Sequence, residues 1–210
     1  MPLDLEEQEQ VAELRAWWKQ HGNLIVSVIL AAAVAFAAWQ GWRWYSASQA
    51  TQAGGVFETL AKAAQAGDAK ALRDASGTLL ESYPRTMYAA MGALVAARFH
   101  FDRNDLKSAK AQLEWVVERA RSDDFRDVAR LRLAAILIDE KAYDEALKLL
   151  EAKHAPAYDA QYAALRGDAL VAKNQPAEAR TAYQLALEKT GNQQSAFRES
   201  VRIRLEALGG

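Results

Sequence analysis

Residues 97–113 read ARFHFDRNDLKSAKAQL, and the pattern returns at 134–150 as AAILIDEKAYDEALKLL and at 167–183 as GDALVAKNQPAEARTAY. In each copy a small residue (Ala97, Ala134, Gly167) is followed twelve positions later by an alanine (Ala109, Ala146, Ala179). Four positions beyond that stands a large apolar residue (Leu113, Leu150, Tyr183). Polar turn formers lie between: Asn104-Asp105, Lys141-Ala142 and Asn174-Gln175. Two antiparallel helices joined by a tight turn close only where the facing side chains are small. Each copy therefore reads as a helical hairpin, with its large apolar residue filling the space toward the next layer.

The three alanines are 37 and 33 residues apart, bracketing the roughly 34-residue tetratricopeptide period. The late proline of that repeat is missing from all three copies, and its early tryptophan position holds Ala93, Arg130 and Ala163, so the units are degenerate. A generic helical bundle is the alternative reading of the same helices. After the third copy, residues 195–208 place Phe197, Val201 and Leu205 on one face and Arg198, Arg202 and Arg204 on the other, the pattern of a terminal cap.

Ahead of the first copy, helical pattern runs over 46–66 with a weak point at Gly54-Gly55, where a bend is expected. Gly67-Asp68 supplies a turn and an N-cap for a helix over 69–82. Pro84 disfavours helical geometry at Tyr83, so the next helix is expected to start near Met87.

Gly22 to Trp42, GNLIVSVILAAAVAFAAWQGW, carries no charge. At about 1.5 Å per residue such a helix matches the roughly 30 Å hydrocarbon layer. Trp17 and Trp18 precede it, and Trp39, Trp42, Trp44 and Tyr45 mark its far side, as aromatic rings do at membrane interfaces. A cleaved signal peptide and a buried core helix are the alternatives. Asp4, Glu6, Glu7, Glu9 and Glu13 argue against the basic leader of a signal. Arg15 and Lys19 before the span against Arg43 after it favour a cytoplasmic amino terminus. The chain divides accordingly: 1–21 a cytoplasmic amphipathic tail, 22–45 a transmembrane helix of the bacterial inner membrane, 46–210 a periplasmic tetratricopeptide-like domain. Val11, Leu14, Trp17 and Trp18 fit a stub lying on the membrane surface or a docking strip. Ala33, Ala37 and Gly41 recur every four residues, a small face that lets another membrane helix approach.

The fold class is all-α: a single amino-terminal membrane helix followed by an α-solenoid of degenerate helix pairs with a capping helix. The chain has no cysteine, which allows an oxidising compartment without a disulfide framework. A formal net charge of -1 without a basic stripe leaves nucleic acid without a footprint. His21, His100 and His154 have no second ligand at metal-binding spacing, and neither a serine elbow nor a phosphate loop is present. No enzyme activity, cofactor or metal site is expected. What remains is a surface. The inward positions of the first helix in each pair are Met91, Leu94, Arg98 and Phe101; then Val128, Leu131, Ala135 and Ile138; then Gln161, Ala164, Asp168 and Val171. This lining suits an apolar segment of another protein, unless the same residues pack against neighbouring repeats.

Three places carry a resemblance: Glu9-Gln10-Val11 through Trp17-Trp18-Lys19-Gln20-His21-Gly22 and the exit Gly41-Trp42-Arg43-Trp44-Tyr45; Tyr88-Ala89-Ala90 leading to Asn104-Asp105-Leu106 and Ala109-Gln112-Leu113; and Leu165 to Leu170 with Ala179 to Tyr183. In this order the chain resembles the YfgM family of ancillary SecYEG translocon subunits. The resemblance implies association with SecYEG and with a PpiD-like periplasmic chaperone, and assistance to polypeptides being translocated. A helical-repeat scaffold for another bacterial envelope assembly is the alternative function.

Overall fold

The computed structural model describes residues 5–191 and 195–209. Its described residues form helices α1 (Leu5–Ala66), α2 (Ala69–Ser82), α3 (Met87–Phe101), α4 (Leu106–Arg119), α5 (Asp123–Asp139), α6 (Tyr143–Leu150), α7 (Asp159–Ala172), α8 (Pro176–Thr190) and α9 (Ala196–Ala207), with a 3-10 turn at Pro156–Tyr158 before α7. The expected all-α class is what the chain adopts. It divides into two compact units, Met1–Gln49 and Ala50–Gly210.

The described residues of the first unit are helix alone. Only 6% of its most apolar window is buried, and Leu24, Ile29, Leu30, Phe36 and Trp44 all stand open. A core helix buries such side chains, so the core-helix alternative fails here. The helix is long and apolar enough to cross a membrane. Arg43 folds back so that its guanidinium sits 4.8 Å from the centre of the Trp39 ring, a cation–π contact among the aromatic residues at that end. Helical conformation continues through Gly22, so residues 10–21 and the apolar stretch belong to one helix.

The second unit is built from hairpins. Caps set the helix starts: Asp68 accepts from the Lys70 and Ala71 amides, Thr86 from Ala89, Asp105 from Ser108 and Ser195 from Arg198. Each hairpin turn uses a residue in the left-handed region, at Asn104 (φ 59°), Lys141 (φ 65°) and Asn174 (φ 61°). The next amide then reaches back to the preceding helix, from Asp105 to His100 O, Ala142 to Leu137 O and Gln175 to Leu170 O, a closure that satisfies carbonyls at the helix end.

Gly67 (φ 74°) does the same, with the Asp68 amide bonded to Ala63 O. The end of α1 and α2 are therefore a fourth hairpin, 37 residues ahead of the first one recognised from the sequence. The positions 37 residues before Ala97 and Ala109 hold Leu60 and Leu72, both fully buried, Leu60 in a cluster with Leu79 and Ala89 and Leu72 in one with Ala63, Ala96 and Phe99. The helix passes through Gly54-Gly55 without interruption, and a Cβ added at Gly54 would meet the Tyr88 ring at 3.4–3.5 Å.

The core runs along the hairpins. Ala97, Ala109, Leu113, Ala134, Ala146 and Leu150 belong to one buried cluster, and Ala179, Tyr183 and Val201 to another in which Phe197, Leu205 and Leu208 close the end. Residues 196–207 thus form the cap that their pattern predicts. A third cluster joins Ala53 and Leu60 to Leu79 and Ala89.

Candidate functional site

The first helices of successive pairs bring part of the predicted lining together. Arg98, Phe101 and Ala135 border an apolar notch of about 170 Å³, completed by Ala97, Leu113, Ile136 and Arg132. A wider recess continues from it, edged by Met91, Leu94, Arg98 and Arg132, with Phe57 and Ala64 across from them. Five of the twelve positions named from the sequence therefore meet around two adjoining hollows that share Arg98 and Arg132.

The other seven are distributed differently. Val128 is half-buried, and Leu131 and Ile138 are half-buried against the main core. Gln161 and Val171 are exposed. Ala164 is 2% exposed and belongs to the carboxyl-terminal cluster, which corrects its assignment to an open face. Asp168 is also committed internally. It accepts the Tyr183 hydroxyl at 2.7 Å and binds Arg204 of α9 through both oxygens, at 2.8 and 3.1 Å. Burial pushes its carboxyl up, opposed by the Tyr183 hydrogen bond and Arg204. It holds the cap in place and is not free to orient a ligand.

Arg132 is the residue that the sequence pattern passed over. It stands four positions after Val128 and one after Leu131, so its helical spacing was the available signal. Its side chain is exposed and makes no hydrogen bond or ion pair with any described residue. Its neighbours are engaged: Arg98 bonds Asp102 at 2.8 Å, and Arg103 lies 3.5 Å from the Phe99 ring centre while donating to Gly67 O.

A second polar cluster is structural. Asp127, 1% exposed, accepts from Arg130 (2.9 Å), the Tyr162 hydroxyl (3.0 Å) and the Ala155 amide (3.0 Å). His154 stacks on Tyr162 with ring centres 3.8 Å apart, and its Nε2 is 3.3 Å from Asp159. His100 Nδ1 lies 3.0 Å from the Asp105 carboxylate. The Asp127–Tyr162 and Asp127–Ala155 bonds tie α5 to the segment around α7, whereas the His100–Asp105 contact closes a turn within one hairpin. Among the described residues no group of three His, Asp or Glu side chains is placed to hold a metal ion. In the first unit, Ala33, Ala37 and Gly41 are exposed, and a Cβ added at Gly41 would meet nothing within 4 Å.

The family model described as a tetratricopeptide repeat-like domain matches residues 15–210. The chain belongs to this tetratricopeptide repeat-like family. The match begins ahead of the apolar stretch, so the family's unit includes the amino-terminal helix together with the hairpins.

Proteins named ancillary SecYEG translocon subunit are similar over most of their length. The one from Neisseria gonorrhoeae is 29% identical over 99% of this chain and 100% of its own. That from Escherichia coli is 26% identical over 85% of both chains, and that from Haemophilus influenzae 25% over 92% and 94%. These relatives bear out the YfgM-family resemblance seen in the sequence. No solved structure matches the chain. A repeat family of this kind supports a scaffold role rather than catalysis.

Proposed function

We propose that the protein is a single-pass inner-membrane scaffold of the SecYEG translocon, with residues 1–21 in the cytoplasm and 46–210 in the periplasm. There it works beside a PpiD-like chaperone and assists polypeptides leaving the channel. The observation that carries this reading is the near-full-length similarity to ancillary translocon subunits, which runs through the anchor and the hairpins together. Arg15 and Lys19 against Arg43 support the orientation. The small stripe Ala33, Ala37 and Gly41 offers a face for a neighbouring membrane helix. The hollows bordered by Met91, Leu94, Arg98, Phe101 and Ala135 offer an apolar seat for a partner segment.

Purification of the full-length protein from membranes in mild detergent tests the reading. Recovery of SecYEG subunits with a periplasmic chaperone supports it. Recovery of a different envelope complex, without the translocon, overturns it.

A further inference from the structure

The notch between α3 and α5 has a volume of about 170 Å³, close to the roughly 150 Å³ of an apolar cavity that takes a benzene ring. Apart from Arg98 and Arg132 its lining is Ala97, Phe101, Leu113, Ala135 and Ile136. Phe101 is 41% exposed at its edge. This is room for one large apolar side chain, with an aromatic ring left at the rim to cover it.

Charge chooses what must flank that side chain. Three arginines border the two hollows, and two have partners: Arg98 bonds Asp102, and Arg103 is held by Phe99 and Gly67. Arg132 borders both hollows and has no partner among the described residues. The one carboxylate on the lining, Asp102, is already bonded to Arg98. A cation brought to this place would face Arg132 with nothing to balance it, whereas a carboxylate would complete the pair.

We propose that this recess takes a segment of another protein that inserts a large apolar side chain into the notch and sets an Asp or Glu carboxylate on Arg132. The proposal rests on the scaffold reading above and adds to it the chemistry of the segment that is seated.

Fluorescence anisotropy of the full-length protein in mild detergent, with short labelled peptides, tests it. One peptide carries a Leu-Phe core flanked by Glu; others replace Glu by Gln or by Lys, or the Leu-Phe core by Ser. The Glu peptide is expected to bind about two- to fivefold tighter than the Gln peptide, as an exposed charge pair allows, with the Lys and Ser peptides weakest. Arg132→Glu is expected to invert the Glu and Lys order, and Arg132→Gln to erase it. Both variants should melt like the parent, because Arg132 bonds nothing in the fold. Equal binding of the Glu and Lys peptides, or an order unchanged in Arg132→Glu, overturns the proposal. Translocon recovery from membranes is read separately. If it persists while the peptide order fails, the recess proposal alone falls; if the peptide order holds without translocon recovery, the recess stands and the translocon reading falls.

Discussion

Gly167 and the Tyr183 ring occupy one space: a Cβ on Gly167 would stand 2.4 Å from Tyr183 Cε1 and 2.6 Å from Cδ1. The ring cannot swing aside freely, because its hydroxyl is bonded to Asp168, which also holds Arg204 of the cap. Gly167→Ala is therefore expected to lower stability by about 1–3 kcal/mol, the usual range for overpacking. Gly77 provides the contrast, since a methyl there meets nothing within 4 Å on α2. Gly77→Ala should raise stability by about 0.5–1 kcal/mol through helix propensity. Urea unfolding of the two variants checks both signs.

How much of this was legible beforehand follows from what the repeat pattern encodes. Small residues at a crossing announce themselves, so Ala97/Ala109, Ala134/Ala146 and Gly167/Ala179 marked three hairpins. The fourth escaped because Leu60 and Leu72 stand where the others carry alanine or glycine. The N-cap at Asp68 was readable because N-capping depends on adjacent residues. Asp168 was not, since the same period fits a charge on an open face and one clasped by a later helix. Its partner Arg204 is 36 residues away, and only the docking of α9 decides between them.

The hairpin turns offer a test of backbone strain. Lys141 occupies a left-handed conformation that its side chain disfavours by about 1 kcal/mol. Its side chain is exposed and forms no bond with a described residue. Lys141→Gly should then stabilise the protein by about 0.5–1 kcal/mol, whereas Asn104→Val at the equivalent turn should destabilise it by a similar amount or more. Thermal unfolding followed by circular dichroism measures the pair.

Asp127 joins α5 to the segment leading into α7. Asp127→Ala leaves the Tyr162 hydroxyl and the Ala155 amide without their acceptor and the Arg130 guanidinium with Lys153 O alone, and is expected to cost about 3–5 kcal/mol. Arg130→Ala should cost less, because the carboxylate keeps its two other donors. Equal losses in denaturant unfolding would contradict this division.

Alkaline unfolding should report the buried phenols. Burial pushes the Tyr162 hydroxyl up to about 12, with Arg130 opposing, and pushes Tyr183 up as well, reinforced by its bond to Asp168. A raised folded-state value means a contribution that is complete below the ordinary phenol value of about 10 and is lost as pH rises toward and through the folded one. Stability should fall between about pH 10 and about pH 12. Tyr162→Phe should shrink that fall relative to the parent, in urea midpoints measured across the range.

Photocrosslinking in living membranes tests the central claim most directly, with benzoylphenylalanine placed singly at Ala37 on the anchor and at Phe101 on the rim of the notch. A translocon-associated scaffold predicts adducts to SecYEG subunits from Ala37, and adducts to a chaperone or a translocating polypeptide from Phe101. Adducts from both positions to some other envelope complex, and none to the translocon, would contradict it.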